Sequence, residues 1–163
     1  MRSAKRVKSF LISTALLIGA VTPILGASPA LAANCSGDGC NGKNPVTSGC
    51  NANGYLAKRI AFTDMNGIAM WDKVYADVYY SNICGTNWVR VTNNPWGGRA
   101  FKSIVSLNAN GTPRYTETED DYTYGSSFSM MVYAPGNTAV DVWAKLYNQA
   151  GVGQAKLPYT VLR

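Results

Sequence analysis

Four acidic side chains within five residues form the densest group of ionisable residues in the chain: Glu117, Glu119, Asp120 and Asp121. Two such carboxylates can supply the acid and the base of a glycoside hydrolase, and several can bind Ca²⁺. In an extended strand, the first, second and fourth of them would share one face. Because exposed edge strands commonly carry charge, we interpret the group as a solvated turn or edge strand and keep a hydrolase as the alternative.

Histidine is absent from the whole chain. Its absence excludes the Ser-His-acid triad, the Cys-His dyad and every metal site with histidine ligands. Paired cysteines would leave no thiolate nucleophile either. We therefore assign no catalytic residue, no metal ligand and no cofactor, and the remaining options are carboxylate chemistry or binding.

The cysteines are four in number: Cys35, Cys40, Cys50 and Cys84. An even number of cysteines in an exported chain is typical of disulfide bonds, and four cysteines can pair in three ways. The spacing lacks the two C-x-x-C pairs of a structural zinc site, which favours disulfides over metal. Among the pairings we favour Cys35 with Cys40 and Cys50 with Cys84, because the second would tie an N-terminal loop to a strand.

The first 32 residues have the features of a secretory signal. Four basic residues precede a mostly apolar stretch over residues 10–21, and the sequence Ala-Leu-Ala ends at residue 32. This order of basic, apolar and small residues is typical of a cleaved export signal. Prolines interrupt the apolar run before it reaches the roughly 20 residues of a membrane span. We expect a secreted monomer over residues 33–163, with no membrane association after cleavage.

The charge of this mature segment argues against nucleic acid as a partner. Four of the fifteen basic residues lie in the signal, which leaves eleven basic and nine acidic residues and a net charge of +2. Lys58 and Arg59 are the only adjacent basic pair in the mature chain. Nucleic-acid-binding domains usually carry a clustered basic surface. We therefore expect no nucleic-acid partner.

Residues 33–54 are rich in Gly, Asn, Ser and Cys, and they predict a disulfide-bonded loop. Later segments show two-residue alternation with β-branched and aromatic residues, separated by Asn, Gly and Pro. The predicted strands are residues 55–62, 73–80, 87–92, 101–107, 114–118, 127–133, 140–147 and 158–162, of which the first could instead be a short helix. This pattern indicates a single all-β domain, an antiparallel sandwich or barrel.

Alternation within two of these strands predicts which side chains face the core. The inward residues are Val74, Ala76, Val78 and Tyr80 in one strand, and Val140, Val142, Ala144 and Leu146 in the other. The opposite faces carry charges together with Tyr75, Tyr79, Trp143 and Tyr147. Aromatic rings beside charged groups are typical of binding surfaces. We predict these four rings as candidate ligand-binding residues; the alternative is that a second sheet or the N-terminal loop covers them.

Two stretches of sequence resemble a known family. They are Cys-Ser-Gly-Asp-Gly-Cys-Asn-Gly-Lys-Asn-Pro from Cys35, and Cys-Gly-Thr-Asn-Trp-Val-Arg from Cys84. Together with Cys50 they resemble the YjfA-like secreted domain of Gram-positive bacteria, which is common in actinomycetes, over about residues 35–91. The resemblance implies export and disulfide bonds and supplies no reaction, since the family's function is unknown. Asn44 and Asn53 stand where that family carries acids, which would weaken a calcium site.

Three functions are compatible with these observations. We favour a secreted, non-catalytic binding protein that acts at the cell surface or on an extracellular glycan or protein. The alternatives are a small carboxylate-dependent hydrolase, and an inhibitor or toxin that would use a protruding loop over residues 93–98. Trp88 and Arg90 could form a cation-π pair. We favour the alternative, in which Trp88 packs behind a disulfide.

Overall fold

The computed structural model describes residues 32–70, 74–158 and 160–162. These residues form two β-sheets. The strands are β1 Gly54–Ala61, β2 Thr63–Asp64, β3 Tyr75–Ser81, β4 Thr86–Asn94, β5 Gly97–Leu107, β6 Pro113–Tyr122, β7 Gly125–Phe128, β8 Val132–Tyr133, β9 Val140–Asn148, β10 Gly153–Lys156 and β11 Thr160–Leu162. Two short 3-10 helices, Gly37–Cys40 and Cys50–Asn53, precede them. Within the described residues, no helix is long and apolar enough to cross a membrane.

All strand pairs are antiparallel, and they form a sandwich rather than a barrel. The first sheet has the order β1-β3-β4-β7, with β8 also paired to β4. The second has the order β2-β10-β9-β5-β6, with β11 also paired to β9. Neither sheet closes on itself in the part of the chain that the structure describes. The all-β prediction is therefore confirmed, and the sandwich is the correct one of its two forms.

The main core lies between the two sheets, as the alternation in β3 and β9 predicted. The buried residues of this core include Val74, Ala76 and Val78 beside the first sheet, and Val140, Val142, Ala144 and Leu146 in the second. Tyr80 differs, because it is only half-buried at the end of β3. Each fully buried aliphatic side chain contributes about 1.5–3 kcal/mol by leaving water. This burial fixes which side of each sheet faces outward.

A second, smaller core lies on the outer side of the first sheet, under the N-terminal loop (residues 33–53). It contains Cys40, Cys50, Cys84, Trp88 and Met131, all of which are buried. Disulfides join Cys35 to Cys40 and Cys50 to Cys84, which confirms the favoured pairing. The two disulfides also touch, with 3.7 Å between Sγ of Cys35 and Sγ of Cys50. The loop is therefore fastened to the sheet by both covalent bonds and apolar contact.

The strand predicted over residues 55–62 is confirmed as β1, and its helical alternative is wrong. Other predicted boundaries differ from the structure. The predicted strand 127–133 is divided into β7 and β8, because Ser129 and Met131 donate their amide hydrogens to Val89 and Lys43 outside the regular ladder. The predicted loop 93–98 is short, since β4 ends at Asn94 and β5 begins at Gly97. The predicted signal segment lies outside the described residues, except for residue 32.

Candidate functional site

The four predicted ligand-binding rings lie on opposite outer faces of the sandwich. Tyr75 and Tyr79 belong to β3 of the first sheet, whereas Trp143 and Tyr147 belong to β9 of the second. The main core separates the two pairs, because the residues alternating with them pack against each other. The four rings cannot act as one platform, and each pair has to be judged by its own surroundings.

The pair on the first sheet is covered. Tyr79 stacks on buried Trp88, with 5.5 Å between ring centroids and 10° between ring planes. Tyr75 lies beneath the guanidinium of Arg59, whose carbon is 4.8 Å from the ring centroid. That guanidinium also donates two hydrogen bonds, of 2.6 and 2.8 Å, to Asp77, which is only 1% exposed. These contacts make Tyr79 part of the packing beside the disulfides and place Tyr75 beneath Arg59.

The second sheet presents an outer surface, which we call the open face. It consists of the outward side chains of β5, β6 and β9, among them Arg99, Phe101, Asp120, Trp143, Lys145 and Tyr147. Trp143 is 40% exposed. Its ring meets Phe101 edge to face, with centroids 4.9 Å apart. In the described residues the N-terminal loop packs on the other sheet and leaves this face uncovered.

Charged groups hold the remaining ring of the open face. The guanidinium of Arg99 and the ammonium of Lys145 lie 5.0 and 4.9 Å from the ring centroid of Tyr147. Arg99 also donates hydrogen bonds of 3.0 and 2.6 Å to Asp120 on the neighbouring strand. These bonds lower the pKa of Asp120 below its ordinary value, so the carboxylate stays ionised. Rings, cations and a carboxylate thus occur side by side on one surface.

Strand β5 buries two polar residues beside Ala100 and Ile104, and it turns apolar residues towards the open face. Its inward residues include Lys102 and Ser106, both of which are fully buried. Its larger apolar residues Phe101, Val105 and Leu107 point outward and are only partly buried. A strand usually directs its apolar face to the core. An apolar face turned outward beside Trp143 is typical of a surface that another molecule covers.

The acidic group occupies the edge strand β6, as predicted. Glu117, Glu119 and Asp121 lie on one side of this strand and are partly buried, and Asp120 lies on the other side. Asp120 is bound by Arg99, and Asp121 accepts a hydrogen bond from buried Lys102. The partner of Asp121 was not foreseen, because a lysine within an alternating strand gives no signal that it faces inward. Two of the four carboxylates therefore have cationic partners.

Glu117 is destabilised as a carboxylate at its position in β6. Burial raises its pKa above 4.5, and the charge of Glu119 raises it further. A raised folded-state pKa means that the ionised group opposes folding at neutral pH, and that this cost disappears as the pH falls through the folded pKa.

Glu117→Gln removes that cost, and we expect the variant to be more stable than the parent at pH 7. The gain should be less than about 0.5 kcal/mol, because water screens a partly exposed site. Urea unfolding at pH 7 and at about pH 4, near the ordinary pKa of glutamate, tests this expectation. The stability difference should shrink at the lower pH; a difference that grows there would contradict it.

A cleft that the sequence did not suggest lies at the β1 edge of the sandwich. It has a volume of about 440 Å³ and is lined by residues that include Tyr55, Lys58, Tyr80 and Asn87. The rings of Tyr55 and Tyr80 meet edge to face at 5.8 Å, and the hydroxyl of Tyr80 accepts a hydrogen bond from the amide of Gly136. The cleft forms where β1 approaches β9 and β11, so only the tertiary structure brings these residues together.

Asn44 has a structural role in the N-terminal loop. Oδ1 of Asn44 accepts hydrogen bonds from the amides of Val46 and Thr47, at 2.9 and 3.2 Å. This is the turn geometry that both Asn and Asp adopt. Asn44 therefore supports the loop through contacts that do not require a charge or a metal ion.

Comparison with known proteins identifies a family without a known activity. The family model described as "Protein of unknown function (DUF2690)" matches residues 38–151. This range contains both sheets' central strands, three of the four cysteines and the open face. No curated protein and no solved structure matches the chain.

Proposed function

The chain belongs to the DUF2690 family of proteins of unknown function, and we propose that it is a secreted, non-catalytic binding domain whose ligand lies on the open face. The observation that carries this proposal is Trp143, which is 40% exposed on the open face, where its ring contacts Phe101. Its export is supported by the signal-like residues 1–32 and by the two disulfides. The finer assignment to YjfA-like secreted domains is part of the same proposal.

The chemistry of the open face favours an extracellular glycan as the ligand. The flat rings of Phe101 and Trp143 match the apolar C–H faces of sugar rings. Arg99, Lys145 and Asp120 stand at the side of these rings and can donate to or accept from sugar hydroxyls. Rings also lose little conformational entropy when a ligand covers them. None of the clefts found in the described residues is lined by Phe101 or Trp143, and an open surface suits an extended polysaccharide better than a small molecule, which needs a concave pocket.

The test is Trp143→Ala in the otherwise unchanged mature protein. Removal of an aromatic residue that anchors a ligand costs about 2 kcal/mol or more, so we expect affinity to fall by at least about tenfold. Binding to peptidoglycan and to other insoluble bacterial polysaccharides is measured by sedimentation. Melting temperature should change little, because a large part of the ring is already in water.

Tyr79→Ala is the matched control, since it also removes one ring from an outward strand face. Because Tyr79 stacks on Trp88, its loss should lower the melting temperature while leaving glycan affinity unchanged. If Trp143→Ala bound glycan as the parent does, the open face would not be the site. If the parent bound an extracellular protein and no polysaccharide, the ligand would be a protein and not a glycan.

A further inference from the structure

Lys102 is a fully buried lysine on the inward side of β5, and its side chain is held by three acceptors. Its Nζ donates hydrogen bonds to the carbonyl of Ala100 at 3.0 Å, to Oδ1 of Asp121 at 2.9 Å and to Oγ of Ser127 at 2.9 Å. The exposure of Lys102 is 0%, whereas the side chain of Asp121 is 33% exposed. The nitrogen is thus fixed against a carboxyl group that keeps one side towards water.

We propose that Lys102 and Asp121 become joined by an intramolecular amide bond. Nζ of Lys102 attacks Cγ of Asp121, and a carbon–nitrogen bond forms. The bond from Cγ to one carboxyl oxygen breaks, and that oxygen leaves as water. The uncharged amine supplies one hydrogen and the carboxylic acid supplies the hydroxyl, so the atoms balance. The reaction is a condensation and requires no oxidant, reductant or cofactor.

Burial favours the uncharged amine that this attack requires, whereas the three acceptors around Nζ match the three donors of the ammonium form. Burial lowers the pKa of Lys102, although the hydrogen bond and charge of Asp121 oppose the shift. Moving one proton from the ammonium to the carboxylate converts the ion pair into an amine and a carboxylic acid. Desolvation is an established way of activating lysine as a nucleophile. An ordinary surface ion pair, such as Arg99 with Asp120, has neither the burial nor a nucleophilic nitrogen.

In this proposal Glu119 relays the proton from Nζ of Lys102 to the carboxyl group of Asp121. It stands directly opposite Lys102 in the pairing of β5 with β6, and residues in such positions have Cβ atoms about 5 Å apart. Its charge raises the pKa of Lys102, because a carboxylate stabilises the nearby ammonium. Ala100 and Ser127 position the nitrogen from the other directions. The proton therefore has an acceptor, and the nitrogen has a fixed orientation.

The amide bond would tie the edge strand β6 to its neighbour β5 in the second sheet. The two residues are 19 positions apart in sequence. The bond would therefore close the β5–β6 hairpin covalently, beneath the open face. It would also add a cross-link that reducing agents do not break, in a chain whose other two cross-links are disulfides.

Mass spectrometry of the purified mature protein tests the proposal. After incubation at neutral pH and subsequent reduction, the intact mass should be lower than that of the linear chain by one water molecule. Trypsin applied to the unfolded protein should fail to cut after Lys102. It should also release one branched peptide that contains both Lys102 and Asp121.

Variants separate this bond from other causes of water loss. Lys102→Met and Asp121→Ala should each show the full linear mass, whereas Asp121→Asn should give the same product as the parent because ammonia leaves instead of water. Glu119→Gln should fold as the parent does but should form the bond more slowly. A full linear mass with complete cleavage after Lys102 in the folded parent would overturn the proposal. Water loss mapped instead to Asp38-Gly39, where aspartate cyclises readily, would do the same.

Discussion

Replacing Trp88 by alanine is expected to lower the free energy of unfolding by about 3–5 kcal/mol, the range for buried tryptophan. For a domain of this length, such a loss corresponds to a decrease of roughly 10–20 °C in melting temperature. Trp88 is 1% exposed and packs with both cysteines of the Cys50–Cys84 disulfide. Its removal leaves a cavity that the neighbouring disulfide, which cannot move freely, is unable to fill. Thermal and denaturant unfolding of the oxidised variant measure the loss.

Close contacts surround the ring of Trp88. Tyr79 covers one face of the indole at 5.5 Å. A methyl group at Gly54 would lie 2.5 Å from Cη2 of Trp88, so the chain has glycine where the ring passes. Trp143→Ala is the control, because it removes the same side chain from an exposed position. Equal melting losses in the two variants would contradict the assignment of Trp88 to the core and Trp143 to the surface.

The placement of Trp88 was one of the features that the sequence predicted. A tryptophan four residues after a cysteine, on an alternating strand, indicated packing behind a disulfide, and the structure confirms it. Arg90, the other member of the predicted alternative, is exposed, and the described residues include no cation-π contact between it and Trp88. Residues close in sequence on one strand have a fixed relation, which makes this kind of inference reliable.

Relations between distant strands were not predictable in the same way. Alternation showed that Tyr79 and Trp143 point away from the aliphatic core, but it could not show that β3 and β9 belong to different sheets. Which face is covered depends on the path of residues 33–53, a segment with neither helical nor strand periodicity. The binding surface was therefore predicted by residue type, and only the tertiary structure divides it into a covered part and the open face.

Strand β5 shows where hydrophobic patterning itself misleads. Phe101, Val105 and Leu107 would by pattern face the core, and Lys102 and Ser106 would face water. The structure has the reverse, because Lys102 finds acceptors on β6 and β7 that satisfy its ammonium group. Strand β10 was missed for a related reason. Its sequence Gly-Gln-Ala-Lys contains no β-branched or aromatic residue, and it is a strand because it pairs with β9 and β2.

The Cys50–Cys84 disulfide should contribute more to stability than the Cys35–Cys40 disulfide. The first joins residues 34 positions apart and the second joins residues 5 apart. In the chain-entropy model these loops correspond to about 4 and about 2 kcal/mol, since a longer loop restricts the unfolded chain more. We expect Cys50→Ala with Cys84→Ala to lower the free energy of unfolding by about 4 kcal/mol. Guanidinium unfolding of both double variants measures the difference.

A coupling measurement can show whether this disulfide acts through the unfolded chain alone. Trp88→Ala combined with the loss of Cys50–Cys84 should cost less than the sum of the separate losses, because both remove parts of the same buried cluster. Trp88→Ala combined with the loss of Cys35–Cys40 should be closer to additive, since Cys35 is only partly buried at the margin of that cluster. Equal losses from the two disulfides would contradict the loop-length argument. Full additivity of Trp88 with Cys50–Cys84 would instead show that this bond stabilises the fold without supporting the indole.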